Sequence, residues 1–442
     1  MRGLLICALF FSILITTFHF GFFSWAGFAV LLGLLGILFF LFFFPYSFLE
    51  EKKNLSSSLP CCFILVYSLF LFGSTGIYQT EFFSSSLLSF LPALLFPLVL
   101  TYGLLSSSLS QNGKKNRFRF LLIAALVFRL LIIIASPKPI IDVFTILKEA
   151  PLALFSGTNP YNTVFSQVYK GVETNYYAYW PASFILEAPF VFLFGDPRLL
   201  LVMADIGSAI LLFLLGRKSE QTEVLSLLYL FRPNALFIIE QSWLTPLVFF
   251  LTLLSFYFVE HKKEFLAGIT LGVLTGVQPL YSIVALFLFP RFKNLKKGIA
   301  SYILTISSLV APFFLWNPAQ FIEKTVFVYF KPLSSIPTIP VHLSLNLNTA
   351  FFTLTGRDIP FIFSFILLLT LTVLIFSRLF SLYKFRESMF GTHLTLALCL
   401  FFFSFYFLFR QSFINYYYLA TGFLLLWFVR LLHTDSGNQS RS

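Results

Sequence analysis

Apolar runs recur along the whole chain, separated by short polar or basic stretches. Runs suited to crossing a bilayer, which takes about 20 residues, fall at 4–20, 24–44, 60–78, 86–106 and 120–135, and again at 199–216, 222–239, 243–259, 267–290, 299–315, 359–376, 392–408 and 413–428. The run at 183–194, about a dozen mostly apolar residues, is too short to cross and suits an interfacial helix. The run at 267–290 is interrupted at Gly276-Val277-Gln278-Pro279, which predicts a hairpin of two short helices. Bilayers tolerate such breaks where protein or a wet cavity surrounds them. Two longer connections, 136–198 and 316–358, lack the composition of a separate domain. Each carries an apolar stretch, 143–155 and 321–330, expected to lie along the membrane interface. The pattern predicts an all-α polytopic membrane protein of about 13–14 transmembrane helices. It divides into a four-helix N-terminal extension (1–111), a membrane core (112–432) and a short polar tail (433–442), which is expected to be disordered.

Composition agrees: the 442 residues are 58% hydrophobic, 20% aromatic and only 11% charged, which excludes a soluble globular domain. The net charge is +12, but its basic residues sit in short connections. These are Lys52/Lys53, Lys114/Lys115/Arg117/Arg119, Arg217/Lys218, Lys262/Lys263, Arg291/Lys293/Lys296/Lys297 and Arg378/Lys384/Arg386. All fall on one side if 183–194 does not cross and 265–290 is a hairpin. The positive-inside rule makes that side the cytosol, so both termini are expected there and the two long connections face outward. No basic stretch interleaves with aromatics as a nucleic-acid surface would, so no nucleic-acid partner is expected. The sequons at Asn54 and Asn438 fall on the cytosolic side, where glycosylation is not expected. Met1-Arg2 and the following apolar run resemble a signal peptide but lack a small-residue cleavage site, so the run is read as a first helix. Cys7, Cys61, Cys62 and Cys399 all lie in apolar spans without metal-site spacing and read as small core residues. No internal repeat is evident, and the serine triplets at 56–58, 84–86 and 106–108 read as helix boundaries.

Few residues remain that carry chemistry. Asp142 stands a few residues beyond the end of the span at 120–135, in the longest connection of the first half of the chain. Its ordinary alternatives are a helix cap or a solvated acid. Arg129, Asp205 and Arg232 lie inside apolar spans, where an ionised side chain costs at least about 2.5–3.5 kcal/mol and needs a partner or a wet cavity. At ~1.5 Å per residue each lies about 9–10 Å from the outer end of its span, beneath the Asp142 loop. One reading is an ion pair between Asp205 and an arginine that fixes helix packing. The other is an arginine facing a cavity and holding a lipid phosphate, whose geometry a guanidinium matches. Glu240, Gln241, Arg410 and Gln411 add a polar ring at the outer ends of three spans. The outer face offers few carboxylates and no His/Asp cluster, so neither a metal site nor a cofactor is expected.

The pattern Asp142-Val143-Phe144, then Gly157-Thr158-Asn159-Pro160-Tyr161, then Tyr179-Trp180-Pro181, followed by a helix bearing Asp205, resembles membrane glycosyltransferases of the GT-C class. It is nearest to the polyprenyl-phosphate-sugar-dependent mannosyltransferases and related bacterial integral-membrane families. In that class the acidic residue lies in the outer loop after the first core helix, the position Asp142 occupies. Asn159, Tyr161 and Trp180 match loop landmarks. Glu240-Gln241 resembles a degraded glutamine motif at a helix end. Arg410-Gln411-Ser412-Phe413-Ile414-Asn415-Tyr416-Tyr417 is similar to a late aromatic segment. The resemblance covers roughly 112–430. Two departures stand out: four helices precede the core, and the lysine often found before a proline in the broken-helix region is replaced by Gly276-Val277-Gln278-Pro279.

The resemblance implies an inverting hexosyltransferase that moves a mannose-like sugar from a polyprenyl-phosphate donor to a glycan, lipid or protein acceptor. The transfer would take place on the non-cytosolic face of a multi-pass cell membrane. Asp142 is then the catalytic base. The substrate-binding candidates are Arg129, Asp205, Arg232, Asn159, Tyr161, Trp180, Glu240, Gln241, Arg410, Gln411 and Tyr416. Tyr176 to Trp180 either stack on a sugar or form an interfacial aromatic belt. A transporter or lipid flippase also accommodates buried charges and broken helices, and a catalytically inactive relative accommodates the missing lysine.

Overall fold

The computed structural model describes residues 2–18, 21–44, 111–232, 234–327, 342–385 and 387–433. The expected spans at 60–78 and 86–106, Cys61, Cys62 and both sequons lie outside the described residues. In chain order the helices are α1 (Arg2–Phe18), α2 (Trp25–Phe43), α3 (Gln111–Ala135), α4 (Asp142–Phe155), α5 (Ala182–Phe194), α6 (Arg198–Leu215), α7 (Glu220–Leu230), α8 (Ala235–Glu240) and α9 (Thr245–Glu260). There follow α10 (Glu264–Val277), α11 (Ser282–Leu288), α12 (Leu295–Trp316), α13 (Pro318–Thr325), α14 (Leu347–Thr355), α15 (Phe361–Phe385), α16 (Glu387–Leu408) and α17 (Ile414–His433). Among the described residues β structure is confined to two isolated bridges, Phe22 with Ser344 and Phe165 with Thr174. Among the described residues six helices are long and apolar enough to cross a membrane, within α2, α3, α6, α12, α15 and α16. The chain is an all-α polytopic membrane protein.

Two expected spans are broken, each for a legible reason. The run at 222–239 is two helices, α7 and α8, parted at Arg232 and Asn234. Pro233 follows Arg232 in the sequence, and a residue before proline is driven out of the helical region. Asn234 then turns the chain in the left-handed conformation (φ 67°), which asparagine tolerates better than most residues. Its amide donates to the Thr16 carbonyl of α1 at 2.5 Å, so the break is tied to a neighbouring helix. The run at 267–290 is the hairpin α10–α11, opened at Gln278 with Pro279 after it. Arg291, beyond the return arm, lies beside Gly391 near the start of α16, so both arms of the hairpin end with the basic connections.

α10 packs closely along α12 because glycines occupy its contact stripe. Gly268 faces Ser301, Gly272 faces Thr305 and Gly276 faces Leu309, so the two helices run parallel in register. Small residues four apart let backbones approach within a bilayer, where helix association rests on packing rather than on hydrophobic driving force.

Three polar contacts at different depths align α3, α6 and α7–α8. At the end bearing Arg217 and Lys218, Arg117 Nε donates to Glu223 Oε1 at 2.8 Å. Deeper in the bundle, Arg129 meets Asp205. At the opposite end, Arg198 Nη1 donates to the Ser136 carbonyl at 2.7 Å, and Ser136 Oγ donates to Glu240 Oε1 at 3.1 Å. Because 136 and 198 meet, the segment between them leaves and re-enters the bundle at one end, here termed the loop end. α4 and α5, with 14 and 13 residues, therefore lie within a returning loop and do not continue the bundle as spans. α17 is buried along most of its length, as a helix apolar all round must be.

Candidate functional site

Asp142 occupies the first position of α4. The residue before it, Ile141, is extended and supplies no side-chain cap. Asp142 caps the helix itself: Oδ1 accepts the Val143 N–H at 2.9 Å, and an anion there complements the helix N-terminus. Oδ2 accepts a hydrogen bond from the Tyr176 hydroxyl. Burial pushes the carboxyl above its ordinary value, outweighing the Tyr176 and Val143 hydrogen bonds that pull it down. The Tyr169 hydroxyl is pushed up to about 12, first by burial and then by the charge of Asp142, whose backbone it contacts.

Phe144, two residues on, points to the other side of α4, as helical periodicity requires. Its ring lies 4.8 Å from the guanidinium carbon of Arg198. That arginine is fully buried, paired with Asp196 at 2.6 Å and bonded to the Ser136 carbonyl. Phe144 thus seats α4 on the loop end while Asp142 faces the tyrosine loop.

The loop landmarks hold the loop together. Asn159 Oδ1 accepts the Tyr161 N–H at 3.0 Å and starts a short 3-10 turn. Tyr161 donates to the Tyr179 carbonyl at 3.0 Å, and its ring lies 4.9 Å from that of Phe321. Both Asn159 and Tyr161 are buried, so neither offers a surface to a sugar. The Trp180 backbone N–H donates to the Val277 carbonyl at 2.9 Å, fastening the loop to the opened hairpin. Its ring is half-buried, 6.1 Å from Phe321.

Of the two readings of the intramembrane charges, the geometry is that of the ion pair. Arg129 Nη2 lies 2.5 Å from Asp205 Oδ2 and donates to the Leu230 carbonyl at 2.8 Å. Nε and Nη1 are engaged with Asp205 and the Ala125 carbonyl at 2.7 and 3.0 Å. Tyr229 donates to Asp205 Oδ1 at 2.6 Å. Arg232 is also enclosed: its guanidinium stacks 3.5 Å from the Tyr418 ring and donates to the Tyr418 carbonyl at 2.6 Å. The expectation of a phosphate on Arg129 or Arg232 meets guanidinium groups already directed at protein oxygens and rings.

Glu240 and Gln241 bond each other at 3.0 Å at the loop end, beside Ser136. Arg410 and Gln411 are half-buried in the turn between α16 and α17, where the Arg410 carbonyl accepts from Asn346 at 3.0 Å. Thr245 donates to the Asn415 carbonyl at 3.3 Å and so joins these two turns.

Tyr416 lines a cavity of about 260 Å³. Gln278, Pro279 and Leu280 of the hairpin tip form one wall, Thr325 and Val326 at the end of α13 a second, and Phe405 of α16 with Phe409 just beyond its end a third. α13 links this cavity to the Asp142 loop. Its Lys324 donates to the Asn175 backbone carbonyl at 2.5 Å and to the side-chain carbonyl at 2.8 Å, and Asn175 precedes Tyr176. Sequence reasoning reached Tyr416 as a binding candidate and Gln278 and Pro279 as the helix break, but not the other cavity residues.

It also passed over Glu187. This carboxyl lies fully buried in α5, and among the described residues neither oxygen has a hydrogen-bond partner. Burial pushes it well above the usual carboxylate range. A lone acid inside a short apolar run was the available signal.

Fold and site define a helical polytopic membrane protein whose returning loop carries a half-buried carboxylate. No family model, curated protein or solved structure matches the chain.

Proposed function

We propose that the chain is an inverting glycosyltransferase that takes a hexose from a polyprenyl-phosphate donor. The observation that carries this reading is Asp142, held by Tyr176 at the loop end and joined through Asn175 and α13 to an apolar cavity. The resemblance of its loop to the GT-C class supplies the reaction.

In this reading the acceptor hydroxyl oxygen attacks the anomeric carbon. The bond from that carbon to the phosphate oxygen breaks, its electron pair leaves with the polyprenyl phosphate, and Asp142 takes the hydroxyl proton. One carboxylate suffices, because a phosphate leaving group needs no acid. Charge on the departing phosphate requires a cation. Lys324, which holds Asn175 between the Asp142 loop and the cavity, is half-buried and so more accessible to a phosphate than the enclosed Arg129 and Arg232. With Pro279, Leu280, Val326, Phe405, Phe409 and Tyr416 beside only two polar residues, Gln278 and Thr325, the cavity suits isoprenoid units. The positive-inside rule assigns the basic connections to the cytosol and Asp142 to the opposite face of a cell membrane.

A second reading, a transporter or lipid flippase, draws support from the opened hairpin and the buried acid Glu187. Membranes containing the protein, supplied with radiolabelled polyprenyl-phosphate mannose, separate the two. The glycosyltransferase reading expects label in an acceptor with wild type and none with Asp142→Asn, at equal membrane insertion. Equal transfer by that variant would overturn the assignment of Asp142. Movement of intact label across the bilayer without transfer would favour the transporter.

A further inference from the structure

Two tyrosines of one loop meet Asp142, and they meet it differently. Tyr176 donates to the carboxylate oxygen Oδ2, whereas Tyr169 contacts the Asp142 backbone. Tyr176 is fixed from both sides along the chain. Asn175 before it is clamped by Lys324 at 2.5 and 2.8 Å. Tyr177 after it is fully buried and shares a hydrogen bond with Ser183 Oγ at 2.7 Å. The Tyr176 hydroxyl is therefore placed by neighbours and does not swing with an open loop. On the other side of the carboxylate, the Val143 N–H locates Oδ1. Both oxygens are held, and each keeps a further lone pair with which to accept a proton.

We infer that Tyr176 is a positioning residue for Asp142, holding Oδ2 so that the carboxylate presents its remaining lone pairs in one direction. The inference rests on the reading of Asp142 as the base of the proposed transfer. A base contributes only when it lies within hydrogen-bond reach of the proton it takes, so a fixed orientation has a direct kinetic meaning. The same hydrogen bond favours the ionised carboxylate, against the effect of burial. Tyr169 and Tyr176 are the titratable groups that face Asp142 from the loop. Arg198, behind Phe144, is paired with Asp196.

The test uses full-length protein in liposomes as wild type, Tyr176→Phe, Tyr169→Phe and Asp142→Asn. Carbodiimide labelling of Asp142, which consumes the protonated carboxyl, is followed by peptide mass spectrometry across the pH range and reports its titration without reference to activity. Tyr176→Phe is expected to move the labelling midpoint up by about one pH unit, a tenfold change in the protonation constant. Tyr169→Phe, which leaves the carboxylate contact in place, should move it by less than about a third of that. Transfer from radiolabelled polyprenyl-phosphate mannose should show kcat down about tenfold in Tyr176→Phe with KM within about twofold. A midpoint in Tyr176→Phe equal to wild type, or to Tyr169→Phe, overturns the inference, as does an unchanged kcat. If Asp142→Asn transfers normally, the base reading fails and the positioning inference falls with it, while the titration shift stands as a measured contact. An inactive Asp142→Asn beside an unshifted Tyr176→Phe overturns the positioning role alone.

Discussion

Arg129 and Asp205, on α3 and α6, form a salt bridge of 2.5 Å in which both side chains are almost wholly enclosed. The pair is completed by Tyr229 on the Asp205 side and by two backbone carbonyls on the Arg129 side. A buried pair is worth little against an apolar replacement of both members, but losing one member strands a charge. Arg129→Met is therefore expected to destabilise the bundle by about 3–5 kcal/mol, and Arg129→Met with Asp205→Leu by much less. Reversible unfolding in mixed micelles, run as a double-mutant cycle, measures the difference. A loss in the double variant equal to the sum of the losses in Arg129→Met and Asp205→Leu would show that the pair contributes nothing beyond packing.

Asp142 carries a prediction about pH. Its carboxyl is held above the ordinary aspartate value of about 3.9 by burial. A base works only when ionised, so transfer should fall as pH drops through this raised value, at higher pH than a free aspartate would set. Initial rates across the acid range locate the limb. A limb at or below the free value would mean that the ionised carboxylate of Asp142 does not govern the rate.

Much of the arrangement was legible in the sequence, for identifiable reasons. Glycine and proline punctuate, so Gly276-Val277-Gln278-Pro279 announced the hairpin break. Pro233 carried the same signal within 222–239, where the apolar stretches on either side of Arg232-Pro233-Asn234 together reach the length of a span and concealed it. Asp142 stood out because a carboxylate beside a span is conspicuous. Pairings were harder to read. That Arg129 faces Asp205, while Arg232 faces Tyr418, depends on the rotation of each helix about its axis, which hydrophobicity around the whole helix leaves undetermined. Tyr161, Tyr169, Tyr176, Tyr177 and Tyr179 look alike in sequence, and only the fold separates the one that reaches Asp142 Oδ2 from those that pack. The short helix α14 lay in a connection whose polar caps gave little periodic pattern.

Glu187 carries a second prediction about pH, on stability. Its folded carboxyl is raised by burial, so the folded state keeps a proton that the unfolded chain releases above about 4.3. Stability should be greatest below that value and decline as pH rises toward the folded one. Glu187→Gln has no proton to lose, so it should flatten this decline. Unfolding midpoints at a series of pH values test it, and parallel curves for variant and wild type would show that Glu187 is not the group responsible.

Along α10 the glycines should not be equivalent, and their ranking follows from what an added methyl would meet. At Gly268 it would run into Ser301 Oγ and the Gly298 carbonyl, with little room to yield against backbone. At Gly272 it would lie 2.6 Å from Thr305 Cβ and 3.0 Å from the Tyr302 carbonyl. At Gly276 its nearest neighbours, Ala182 Cβ and a Leu309 methyl, stand at 3.1 Å, and the leucine can shift. Alanine gains about 0.5–1 kcal/mol over glycine inside a helix, whereas overpacking costs about 1–3 kcal/mol. Gly276→Ala should therefore be near neutral, Gly272→Ala destabilising and Gly268→Ala the worst of the three. The effect should also reach the site: the Val277 carbonyl at the end of α10 accepts the Trp180 backbone N–H at 2.9 Å, so pushing α10 away from α12 displaces the loop that carries Tyr176. Unfolding of the three variants, with carbodiimide labelling of Asp142 in each, checks both parts. A Gly276→Ala variant as unstable as Gly268→Ala would mean that the stripe is not packed as described.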